Sequence, residues 1–140
     1  MRVVAVSSVA QESPALAELA AEADVTRVGP RSTATATDSY ALDPRPAGAF
    51  AGRIERLAWR SAIGRNLIRI TPLDRSRRLW RAAKRDRALR ELVRGADVVV
   101  ALDRDAILTV WKLSRERALG DGWDAVYGGT AALFALRNRR

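Results

Sequence analysis

Residues 97–103 read DVVVALD, an unbroken apolar run entered and left through aspartate. A strand with one face in water alternates apolar and polar residues. A strand covered on both faces does not, so this run points to a parallel sheet with helices on either side. MRVVAVSS (1–8) has the same β-branched character, and VTRVG (25–29) and DAVYG (124–128) supply shorter strands.

Helical patterns fill the spaces between these strands. In ESPALAELAAEA (12–23), Ser13 is placed to cap, Pro14 sits at the first helical position, and Leu16, Leu19, Ala20 and Ala23 share a face. Strand, helix and strand within about 30 residues make a βαβ unit. Residues 31–52 are rich in Ser, Thr, Ala, Pro and Gly without a clear period and read as a long, mobile loop. A helix is expected from Arg53 to near Gly64, and LIRI (67–70) is a candidate strand. Thr71-Pro72-Leu73-Asp74 reads as a capping box opening a helix to Arg94, with Leu79, Ala83, Leu89, Leu92 and Val93 toward the core and Gly95 as a left-handed stop. After the DVVVALD strand, Asp103 or Asp105 can cap a helix in which Ile107, Val110, Trp111 and Ser114 share a face and which Gly120 closes. GTAALFALRNRR (129–140) is a terminal helix. The alternation predicts one α/β domain over 1–140: a single doubly wound, mostly parallel, Rossmann-like sheet with helices on both faces.

In such sheets ligands bind outside the carboxyl ends of the strands, where the strand order reverses. Ser7 and Ser8 follow the first strand, Asp103 and Asp105 the DVVVALD strand, and Tyr127, Gly128 and Gly129 the last; these are the ligand-crevice candidates. Each also has a plain structural use, as a turn, a helix cap or a strand-to-helix junction. The chain lacks cysteine and histidine, which excludes thiolate chemistry, disulfides and a Ser-His-Asp triad. Neither GxGxxG nor GxxxxGK[ST] occurs, so a dinucleotide or P-loop phosphate site is not expected. Asp103 with Asp105 could place two carboxylates on Mg²⁺, but an Asp-x-Asp pair at a helix start is a weak signal. No metal, cofactor or catalytic residue is assigned.

The net charge of +9 is concentrated. Segment 53–94 holds 14 Arg or Lys against 4 Asp or Glu, a balance of +10, leaving −1 for everything else. Localised cationic charge suggests an anionic partner. Arg77, Arg78, Arg81, Lys84 and Arg85 make one cationic helical face, and Arg56, Trp59 and Arg60 give the preceding helix the makeup of an interfacial amphipathic segment. An anionic membrane surface or a phosphorylated acceptor fits these residues; nucleic acid is the alternative, although no known nucleic-acid-binding motif is visible. The N-terminal apolar run is too short for a secretory signal, and no stretch approaches the ~18 apolar residues of a membrane span. A cytoplasmic location, with peripheral attachment at the inner membrane face, is expected.

ADVVVALDRDAILTVWKLSRE (96–116), followed by DAVYG, resembles the fourth strand, helix and fifth strand of the N-terminal domain in GT-B-fold glycosyltransferases of the family 4 type, and MRVVAVSS and DVTRVG resemble that domain's first two strands. The resemblance implies a Rossmann-like acceptor-side domain. Such enzymes pair it with a second Rossmann-like domain that holds most of the sugar nucleotide, and this chain has length for about one. The glycine-rich loop usual after the first strand is replaced by SSVAQESP, and Leu102 stands at the family's histidine position, while Asp103 and Ala106 match. The expectation is a module noncatalytic alone or dependent on a partner, either a second glycosyltransferase-half subunit or a further copy in a homodimer.

Overall fold

The computed structural model describes residues 1–9, 14–30, 39–42, 44, 53 and 74–139. Five strands, β1 (Arg2–Val6), β2 (Asp24–Gly29), β3 (Ser39–Ala41), β4 (Val98–Ala101) and β5 (Asp124–Tyr127), form one sheet in the order β3-β2-β1-β4-β5. All four pairings are parallel, in registers such as Val4↔Thr26 and Val4↔Val99. With helices on both faces, this is the doubly wound, Rossmann-like architecture that the DVVVALD run demands. The expected strand in 67–70 and helix in 53–64 lie outside the described residues, Arg53 apart.

The strand order reverses between β1 and β4. Helix α1 (Pro14–Glu22) carries the chain from β1 outward to β2, and α4 (Arg104–Ser114) carries it from β4 outward the other way to β5. Right-handed crossovers running in opposite directions must lie on opposite faces, and they do. On one face Val3, Ala5, Val98 and Val100 pack with Leu16 and Leu19 of α1 and with Ala132, Leu133 and Leu136 of α5 (Gly129–Asn138). On the other, Val4, Val6, Val99 and Ala101 meet Leu79 and Ala83 of α2 (Arg75–Arg85), Leu89 and Val93 of α3 (Arg87–Arg94), and Val110 and Leu113 of α4. Each valine of β4 thus has a helix above or below it, which is why its sequence does not alternate.

Several expectations need correction. The segment 31–52 is not wholly loop: Ser39–Ala41 forms β3, pairing Arg27↔Ser39 through Gly29↔Ala41. Three residues at a sheet edge are too short to leave an alternation. The helix from 74 to 94 is two helices. Asp86 closes α2, its N–H bonding the Ala82 and Ala83 carbonyls, and opens α3, its Oδ1 accepting Leu89 N at 3.0 Å. The same carboxylate accepts the Tyr40 hydroxyl of β3 at 2.7 Å, and this bond, with burial, pushes the phenol up to about 12. Asp74 caps α2, accepting Ser76 N at 2.8 Å; Thr71, expected to cap this helix, lies outside the described residues. Ala20 is exposed. In α4 the buried residues are Ala106, Thr109, Val110 and Leu113, so Ile107, Trp111 and Ser114 share an outward face without Val110. Gly120 ends a short 3₁₀ turn over Arg117–Leu119, one element after α4.

Gly95 does end α3 but at φ −89°, not in the left-handed region. A Cβ there would meet nothing closer than 3.6 Å. Gly95→Ala should therefore stabilise the fold by about 0.5 kcal/mol, through a less flexible unfolded chain. A rise in the urea midpoint with unchanged m-value checks it; a fall would mean that the backbone at Gly95 visits conformations alanine cannot follow.

Candidate functional site

The loops leaving β1 and β4 meet at the reversal of strand order, and Asp103 joins them. Its Oδ1 accepts Ala106 N at 2.9 Å, capping α4, while Oδ2 accepts the Ser8 N–H at 2.6 Å and the Ser7 hydroxyl at 2.8 Å. Ser7 is only 7 % exposed. Its single hydroxyl proton is shared between Asp103 and the Val9 carbonyl, and its oxygen accepts Val9 N at 3.2 Å. Leu102 N bonds Val6 O at 2.9 Å beneath them. Both oxygens of Asp103 are therefore engaged inside the protein, and the two loops that would part around a ligand at the strand reversal are tied together.

Asp105 lies in the first turn of α4, half-buried, beside the start of α2. Burial and the neighbouring carboxylates of Asp103 and Asp74 raise its pKa above 3.8, against the opposing pull of Arg75 and Arg104. The amides of the α4 N-terminus also favour a carboxylate here, but burial and two like charges prevail. A carboxyl that holds its proton more tightly in the folded state contributes stability that falls as pH rises above the ordinary aspartate value. Asp105→Asn should therefore raise the melting temperature at neutral pH, with the gain vanishing below pH 3.8. Melting curves across that range test it, and a uniform gain at all pH values would refute the electrostatic cause. Among the described residues no group of three or more acidic side chains is arranged to hold a metal.

The remaining crevice candidates separate from this cluster. Tyr127 ends β5 and is 59 % exposed. Gly128, at φ 84°, bonds Ala101 O at 2.9 Å through its N–H. Gly129 opens α5 against Ala15 of α1. These residues form a strand-to-helix junction at the sheet edge.

An open cavity of about 160 Å³ lies on the β2–β3 side of Ser8. Its described lining is Ser8, Pro30 and Pro44 from the loops after β1, β2 and β3, with Arg75, Arg78 and Leu79 from the first turns of α2. Fold and chemistry converge here: the cavity sits at the carboxyl ends of the parallel strands, and two arginines reach it. Arg78 was expected on the outer cationic face of this helix, and Arg75 was not singled out. Their signal was the i, i+3 spacing directly after the capping Asp74, which turns both toward the strand ends and away from the outer row.

Of the expected cationic face, Arg78 lines the cavity instead. Arg77, Arg81, Lys84 and Arg85 are all exposed on one side of α2, opposite the buried Leu79 and Ala83. Arg56, Trp59 and Arg60 lie outside the described residues. No helix among the described residues is long and apolar enough to cross a membrane. Comparison of the chain with protein-family models, with curated proteins and with solved structures returns no match.

Proposed function

We propose that the chain is an acceptor-side module of glycosyltransferase type, noncatalytic alone and dependent on a partner half, which holds a phosphorylated acceptor headgroup beside Arg75 and Arg78 while working at an anionic surface. The observation that carries this reading is the arginine-lined cavity at the carboxyl ends of β1 to β3. A guanidinium matches phosphate oxygens in a fork that no neutral group reproduces. The space between the described walls, about 160 Å³, is on the scale of a phosphate group, below the roughly 300–1,000 Å³ of pockets that engulf a drug-sized ligand. In this reading the sugar-nucleotide donor is held by the partner half.

Calorimetric titration with a short-chain prenyl phosphate, and with the matching alcohol, tests the proposal. The phosphate should bind and the alcohol should not, and Arg78→Ala should weaken binding at least tenfold, the scale of one lost hydrogen bond to a charged group. Equal binding of phosphate and alcohol, or binding of neither, ends this reading. The second reading, a sequence-tolerant nucleic-acid binder, draws on the exposed row Arg77, Arg81, Lys84 and Arg85. Four neutralised phosphates would give a slope of log affinity on log salt near −3.6 for duplex DNA, and a flat salt profile would exclude it.

A further inference from the structure

Helices α2 and α4 pack side by side on the same face of the sheet. Their buried stripes point into one core, so their opposite sides share one outer surface. At 3.6 residues per turn, the buried Ala106, Thr109, Val110 and Leu113 of α4 direct Arg104, Trp111 and Arg115 straight away from the sheet. Trp111 is 51 % exposed and its neighbour Ile107 39 %. The Lys112 ammonium lies over the Trp111 ring at 5.0 Å from its centroid, and the Arg115 guanidinium at 5.8 Å. Alongside, α2 presents the exposed Arg77, Arg81, Lys84 and Arg85. Against these cations the two helices hold a single carboxylate, Asp105, and it is half-buried.

We infer that the α2–α4 face docks on an anionic lipid bilayer, with Trp111 and Ile107 entering the headgroup boundary and the surrounding cations meeting lipid phosphates. The inference rests on the reading that the chain works at an anionic surface, and it adds where and how. Charge selects the occupant. A second copy would bring the same cations to the interface and be repelled. A phosphate backbone would match the charge but gain nothing from Ile107, and the indole surface on which a base would stack is already engaged by Lys112 and Arg115. A bilayer surface satisfies both halves of the pattern, because tryptophan favours the headgroup level and basic side chains keep their charges at the phosphates. Each cation brought to such a surface is worth roughly fivefold in partitioning, the equivalent of ~1 kcal/mol.

The test uses the full chain with phosphatidylcholine vesicles, with and without phosphatidylglycerol, some carrying brominated acyl chains. Sedimentation should show binding only when phosphatidylglycerol is present, weakening from low salt to ~0.15 M as the surface charge is screened. Tryptophan fluorescence should be quenched by the brominated lipid, and Trp111→Phe should bind while losing most of that quenching. Trp111→Ala should lower partitioning about tenfold with an unchanged melting temperature, because the side chain is exposed. Arg78→Ala should bind these vesicles like the natural chain, since they contain no prenyl phosphate. Failure to bind phosphatidylglycerol vesicles at low salt overturns the inference, as does quenching that survives Trp111→Phe. Prenyl phosphate binding that persists alongside either failure leaves the cavity reading intact and sinks the docking surface alone.

Discussion

An Asp103→Ala protein should lose about 2 kcal/mol of folding stability. The sum has two parts. Loss of the α4 cap, the bond from Ala106 N, costs about 1 kcal/mol. The Ser8 N–H then loses its acceptor, at about 1 kcal/mol or more, while the Ser7 hydroxyl keeps the Val9 carbonyl. A series separates the parts. Asp103→Ser restores a cap acceptor but is too short to reach the β1 loop, so it should recover only the first part. Asp103→Asn keeps one carbonyl oxygen for two tasks and should fall between Ser and the natural protein or match Ser. Urea denaturation measures all three. If Ala and Ser lose equally little, below about 1 kcal/mol, the tie between the β1 and β4 loops is not energetically significant. The same series reaches function, because Ser8 also lines the arginine cavity. Releasing it should weaken prenyl phosphate binding even where the fold survives.

The aspartates illustrate what a sequence can say about a site. DVVVALD pointed to a buried parallel strand because burial on both faces removes alternation, and its short, valine-rich run suits a strand better than a helix. Asp103 stood out as a cap for the same reason, since helix starts require an acceptor. That its second oxygen holds Ser7 and Ser8, nearly a hundred residues away in the chain, was invisible. No local rule couples Oδ2 to a turn after β1. The outward face of α4 was misgrouped because Ile107 and Trp111 are the bulkiest apolar residues there, and apolar residues normally face inward. Here the smaller Ala106, Thr109 and Val110 do so, against the sheet and α2. The break at Asp86 was hidden because both flanking stretches are strong helix formers. There the Asp86 carboxylate caps α3 and also accepts the Tyr40 hydroxyl, from a strand too short to recognise. Sequence patterns carried the burial of the strongest strands and helices, and the site depends on pairings between elements.

Gly129→Val should be the other large effect, a loss of roughly 3 kcal/mol from overpacking and shift of α5. Gly128 and Gly129 are ligand-crevice candidates, yet each glycine has a steric cause. A Cβ added at Gly129 would lie 2.7 Å from the Ala15 methyl and 3.4 Å from its carbonyl carbon. That methyl is fixed to the α1 backbone and cannot swing aside, so one helix must move. Gly128, at φ 84° and ψ 149°, occupies a region open essentially to glycine alone. Gly129→Ala should cost less than valine, about 2 kcal/mol, and its partner site permits a direct check. Ala15→Gly removes the obstructing methyl. Combined with Gly129→Ala, it should recover most of the loss, short of the ~0.5–1 kcal/mol that glycine costs in a helix. Denaturation of the four proteins in this cycle gives the coupling energy between the two positions. A coupling near zero would mean that α1 slides freely over α5 and that Gly129 serves something other than close approach. A coupling near 2 kcal/mol would make the glycine a packing device, with its place in the chain set by the crossing of two helices on one face of the sheet.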